Sequence, residues 1–80
     1  MADSNKRDEL RKKVLDNLIE KADEYYKNND WDPALNAYLS IAKQIGSEIL
    51  FVNIGLCYYN LESFYNSIIW LKKSLILNGK

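Results

Sequence analysis

Residues 22–41 read ADEYYKNNDWDPALNAYLSI and residues 55–74 read GLCYYNLESFYNSIIWLKKS. Laid over one another at an offset of 33 positions, they match along their length. Ala22 meets Gly55, Tyr25 meets Tyr58, Tyr26 meets Tyr59 and Trp31 meets Phe64. Farther on, Ala34 meets Ser67, Tyr38 meets Leu71 and Ile41 meets Ser74, the last being the loosest pair. Small residues fall on small ones, aromatic on aromatic, large apolar on large apolar. Chance gives one or two such pairs. Seven in one register make an internal repeat, the mark of stacked supersecondary units.

Working outward from this register, each copy reads as two helices. Leu10, Val14, Leu15, Leu18, Ile19, Ala22, Tyr25 and Tyr26 recur at steps of three and four, the spacing of a helical stripe. Asn28-Asn29-Asp30 interrupts it with side chains that compete for backbone hydrogen bonds. Asp32-Pro33 predicts a restart, an acidic cap followed by a proline whose missing N–H is not needed in a first turn. Ala34, Leu35, Tyr38, Leu39, Ile41, Ala42 and Ile45 form the apolar side of that second helix, and Gly46 is expected to end it. Ser47 caps a third helix running to about Leu61, and Ser63 a fourth ending near Asn78-Gly79. The short turns within each copy make the paired helices antiparallel neighbours. A strand over residues 49–59, suggested by its Val, Ile and Tyr content, is rejected because the segment is too long and its small residue falls where the repeat needs one.

These residues resemble the tetratricopeptide repeats, whose signature sets a large residue, an L-G pair and a Tyr on the first helix and Ala-x-x-x-aromatic on the second. The second copy reads Phe51-x-x-Ile54-Gly55-x-x-Tyr58 and Ser67-x-x-x-Leu71; the first reads Leu18-x-x-Lys21-Ala22-x-x-Tyr25 and Ala34-x-x-x-Tyr38. The resemblance covers about residues 15–80. It departs from the family pattern at Lys21, where Leu is preferred, at Gly79, where Pro is preferred, and in its spacing of 33. It implies an all-α protein of two tandem helix-turn-helix hairpins, four antiparallel helices that begin an α-solenoid. The first repeat covers about 10–46 with an N-terminal extension, the second about 47–79, and the two form one small domain.

Composition narrows the function. Eleven basic and eleven acidic side chains give zero net charge. Residues 1–13 carry five basic and three acidic groups, and 14–32 carry two basic and six acidic. A nucleic-acid binder shows a one-sided basic footprint; here Lys6, Arg7, Arg11, Lys12 and Lys13 are interleaved with Asp8 and Glu9, which reads as a solvated helix face. The longest apolar runs, 49–52 and 68–71, fall far below the ~20 residues of a membrane span, and no apolar stretch follows Met1. With no His, one Cys and no Gly-rich phosphate loop, the chain offers no general base, nucleophile pair or metal set, so neither an enzyme nor a cofactor is expected. Cys57, in mid-helix, reads as a packing residue. A lone cysteine also fits a reducing, cytoplasmic setting.

What remains is binding. The resemblance implies an inner groove lined by the first helix of each repeat, which places Asp16, Ile19, Asp23 and Tyr26 beside Ile49, Val52, Asn53, Leu56 and Tyr59. Such a groove suits a peptide or protein anchored by apolar side chains; for Ile49, Val52 and Leu56, packing between helices is an equal alternative. Family members that clamp a chaperone's C-terminal carboxylate use a Lys and an Asn where this chain has Ile19 and Asp23. Asn53 alone matches, and Asp23 would repel a carboxylate. A looser similarity, to the repeat domain of the cytosolic activator subunit of phagocyte-type NADPH oxidases, rests on Asp30-Trp31-x-x-Ala34-Leu35-x-Ala37-Tyr38 and Asn53-Ile54-Gly55. It would make a small GTPase a partner. Arrays of this kind need about three repeats and a polar closing helix. Helix four instead carries Ile68, Ile69, Trp70, Leu71, Leu75, Ile76 and Leu77, so the expectation is that further repeats or a second copy cover it.

Overall fold

The computed structural model describes residues 2–78, with side chains described for residues 6–77. Four helices follow one another with no strand among the described residues: α1 (Ala2–Lys27), α2 (Trp31–Ala42), α3 (Glu48–Asn60) and α4 (Phe64–Asn78). Each packs on the helix before it in sequence. The α3–α4 register is antiparallel. Descending α3 from Tyr59 through Gly55 to Phe51, the partners climb α4 from Phe64 through Ser67 to Trp70 and Leu71. The thinnest dimension between Cα atoms is 15 Å, as expected for two layers of helices about 8–10 Å apart.

The repeat seen in the side chains is present in the backbone. Asp30 N–H donates to the Tyr25 carbonyl at 2.9 Å, and Ser63 N–H donates to the Tyr58 carbonyl at 2.8 Å. Asn29 N–H reaches the Tyr26 carbonyl, and Glu62 N–H the Tyr59 carbonyl. These bonds satisfy carbonyls that a helix end would leave without partners. Across each turn the rings pair alike: Tyr26 meets Trp31 edge to face at 5.2 Å and Tyr59 meets Phe64 at 5.4 Å.

The core follows the small positions. Ala22, Ala34, Ile41, Ile54 and Cys57 are fully buried, with Leu35, Tyr38 and Leu50 close behind. Their counterparts Gly55, Ser67 and Ser74 are buried too. Ser74 satisfies its hydroxyl by donating to the Leu71 carbonyl at 2.7 Å. That is why a serine can stand where the first copy has Ile41.

Several boundaries differ from the sequence expectation. α2 begins two residues earlier than Asp32-Pro33 implied: Asp30 is its cap residue and Asp32 lies in the first turn. Asp30 caps through its carbonyl, which accepts from Ala34 N–H at 3.0 Å, and not through its carboxylate. Gly46 does not end α2. The helix closes at Ala42, where Gln44 and Ile45 N–H groups bond the Ile41 carbonyl, so no left-handed glycine is needed. Ser47 does cap α3, its Oγ accepting from Leu50 N–H at 3.3 Å. Ser63 precedes α4 as expected, but its Oγ accepts from the Asn66 side-chain amide at 2.9 Å. Gly79 lies outside the described residues.

The larger difference is at the start. α1 runs 26 residues against 12 in α2, about 39 Å against about 18 Å. Among the residues whose side chains are described, 6–14 all lie open to solvent. Leu10 and Val14, apolar members of the expected stripe, are 62% and 57% exposed.

Candidate partner-binding groove

Tyr38 is the side chain that organises the face shared by α1, α2 and α3. It projects from mid-α2 with 2% exposure, because its neighbours Ala34, Leu35 and Ile41 pull that stripe into the core. Its hydroxyl donates to Asp23 Oδ1 on α1 at 2.6 Å, the short length of a charge-assisted bond. Asn53 Nδ2 on α3 approaches the same hydroxyl at 3.5 Å, a weak contact. Burial, and then the Asp23 carboxylate, push the Tyr38 phenol well above its ordinary value. It is a fixed donor throughout the physiological range.

Above this network opens a pocket of about 180 Å³. Ile19 and Asp23 of α1, Tyr38 and Ile41 of α2, Ile45 and Ser47 of the connecting loop, and Ile49, Leu50 and Asn53 of α3 line it. Of the nine residues expected in the groove, Ile19, Asp23, Ile49 and Asn53 therefore meet in one place. The other five lie outside the pocket. Tyr26 is half-buried, its ring edge-on to Trp31 and Tyr38. Val52 and Leu56 are half-buried on α3, and Tyr59 is exposed against Phe64. Asp16 is exposed on α1. The sequence reading missed the contributions of Tyr38, Ile41, Ile45 and Ser47, which belong to the second helix and its loop, and of Leu50 on α3.

A wider, more open hollow of about 510 Å³ lies between α2 and α4, where Asn36, Leu39, Ser40, Ala42, Lys43 and Trp70 surround it. Its lining mixes apolar Leu39, Ala42 and Trp70 with polar Asn36, Ser40 and Lys43. Trp70 is less available than the sequence implied. Its ring packs edge-on against Phe51 at 5.4 Å, and the Lys73 ammonium sits 5.1 Å from its centroid. The exposed apolar side chains of α4 are Phe64, Tyr65, Ile68, Leu75 and Ile76.

Cys57 is not among the residues that line the pocket. Cys57 is wholly buried and burial pushes its thiol up to about 11, so it is protonated at neutral pH. Among the described residues, no group of three Cys, Asp or Glu side chains is placed to hold a metal ion. No described helix is long and apolar enough to cross a membrane.

The fold and pocket define an all-helical protein of paired helices with one mixed apolar and acidic cleft. No family model matches the chain, and neither the curated proteins nor the solved structures give a significant match.

Proposed function

We propose that this chain is a non-catalytic interaction module of the tetratricopeptide type, binding a peptide or protein partner in the cytoplasm on the face made by α1 and α3. The supporting observation is the convergence of Ile19, Ile49, Asp23 and Asn53, from both helices, on one pocket beside a pre-ordered hydrogen bond. A few fixed polar groups on an apolar floor are what recognition sites for side chains look like. Ile49 is 73% exposed, so Ile49→Arg disturbs the pocket without disturbing the core. Affinity copurification from the native cytosol tests the reading. Partners held by the wild-type chain should be lost with Ile49→Arg at unchanged helical circular dichroism. Recovery of the same partners by both would refute it.

A second reading, a self-associating unit or a segment of a longer array, is favoured by the apolar surface of α4, where Leu75 and Ile76 stand exposed. Sedimentation of the wild type and of Ile76→Glu separates the two. Association lost in the variant supports assembly through α4, and a monomer in both rejects it. A small GTPase as partner, which the looser family similarity suggested, is one candidate that the copurification would reveal.

A further inference from the structure

Resting on the α1–α3 face as a partner site, we propose that its pocket receives one large apolar side chain of a peptide whose adjacent residue is cationic, the cation pairing with Asp23. Size fixes the first half. The pocket holds about 180 Å³, against about 150 Å³ in an engineered cavity that binds benzene, so one leucine-, methionine- or phenylalanine-sized group fills it. The walls are branched aliphatic, from Ile19, Ile41, Ile45 and Ile49, and offer such a group dispersion contacts on several sides.

Charge fixes the second half. Asp23 is the one carboxylate in the lining, which holds no Lys or Arg. The Tyr38 hydroxyl holds its Oδ1 at 2.6 Å, which restrains the carboxylate at the pocket and leaves Oδ2 outside that bond. A carboxylate already locked loses little freedom when a cation arrives. Ser47 and Asn53, the other polar lining residues outside this pair, carry no charge and cannot reverse the preference. The surrounding sequence reinforces it, since residues 14–32 hold six acidic and two basic side chains. An acidic peptide would meet repulsion on entry and at the pocket.

The chain's own exposed segment, with Leu10 followed by Arg11, has related chemistry, so a second copy is the competing occupant. The test uses the full chain with labelled isoleucine methyls and three synthetic peptides: Gly-Ser-Leu-Arg-Ser-Gly, its Leu-Glu counterpart and its Ala-Arg counterpart. The Leu-Arg peptide should shift the methyl signals of Ile19, Ile41, Ile45 and Ile49. It should saturate at concentrations about tenfold below the other two, the ratio that one well-placed contact supplies. In Asp23→Asn, which keeps an oxygen for Tyr38, the Arg-over-Glu preference should shrink to less than about threefold while the leucine requirement persists. Equal binding of the Leu-Arg and Leu-Glu peptides would overturn the cationic partner yet leave the groove standing. Equal binding of the Ala-Arg peptide would overturn the apolar anchor. Silent methyls with every peptide would also overturn the proposal, the copurification with Ile49→Arg then judging the groove separately. Silent methyls together with self-association lost in Leu10→Ala would assign the pocket to a second copy.

Discussion

Asn29 and Glu62 adopt the same left-handed backbone conformation, φ 62° at each, at positions 33 apart in the chain. Each sits between the N–H groups that close its helix: Asn28 and Asp30 both return to the Tyr25 carbonyl, and Leu61 and Ser63 both return to Tyr58. Geometry is shared, but chemistry is not. Asparagine tolerates this region because its short amide can bond locally, whereas a glutamate meets the ordinary steric penalty of a Cβ. Glu62→Gly should therefore stabilise the fold by roughly 0.5–1 kcal/mol, and Glu62→Asn by a smaller amount. Asn29→Ala should destabilise by a similar amount. Urea melts of the three variants check this, and a loss of stability in Glu62→Gly would contradict it.

At Gly55, α3 and α4 approach closely. A Cβ there would lie 2.8 Å from both Leu71 Cγ and Cδ2 and 3.3 Å from the Ser67 carbonyl oxygen. Glycine within a helix costs about 1 kcal/mol relative to alanine, so the close approach has to be worth more than that. Gly55→Leu should destabilise by ~1–3 kcal/mol through overpacking. Gly55→Ala sets a helix-propensity gain against the contact with Leu71. Its effect should improve by ~1 kcal/mol or more when Leu71→Ala is added, a coupling that a double-mutant cycle measures. Strict additivity of the two changes would show that the clash is not with Leu71.

The repeat was legible because its information lies in side-chain size at buried positions. Ala22 with Gly55 and Ala34 with Ser67 must both be small for either hairpin to close. The turns were legible only in part. Asn28-Asn29-Asp30 announces itself, whereas Leu61-Glu62-Ser63 offers only Ser63 as a cap, with the offset of 33 beside it. Periodicity gave the apolar stripe of α1 but could not say where its partner helix stops, so Leu10 and Val14 read as core although they lie beyond the reach of α2. Gly46 misled for a related reason. Glycine is permissive, and permission to end a helix is not an instruction to do so. The pocket was half legible. Its α1 and α3 residues follow from the family resemblance, but the Tyr38–Asp23–Asn53 network crosses three helices. The repeat offset carries Asp23 and Tyr38 onto Leu56 and Leu71, so self-comparison could not have exposed a polar pair.

That network should be measurable in stability. Tyr38→Phe removes the hydroxyl and leaves Asp23 exposed to water, so no buried charge is stranded. The expected loss is ~1 kcal/mol, nearer the ordinary hydrogen-bond figure than the larger one for buried charged pairs. Asp23→Asn keeps an acceptor and should lose less. If Tyr38→Phe melts with the wild type, the 2.6 Å bond contributes nothing net and the carboxylate is not held in place by it.

Alkaline pH should unfold the chain through groups buried in their protonated form. Cys57 is raised from 9.0 to about 11 by burial. Tyr38 is raised from 10.0 by burial and by Asp23, and Tyr26 is raised by burial and the nearby Cys57. A folded value above the unfolded one means that the native state binds more protons in the interval between them. The stabilisation is thus fully present below the unfolded values and disappears as pH climbs through the folded ones. Stability should be flat with respect to these groups up to about pH 8 and begin to fall near pH 9 as Cys57 enters its window. The slope should steepen above pH 10 when the tyrosines join. Each group contributes at most about 1.4 kcal/mol per pH unit while only its unfolded form is ionised. Urea melts between pH 7 and 11 measure the profile. In Cys57→Ala the fall should start about one unit later, near the unfolded tyrosine value of 10.0, whatever the variant loses uniformly from the cavity. An onset unmoved by removing the thiol would mean that Cys57 is not the first group to titrate.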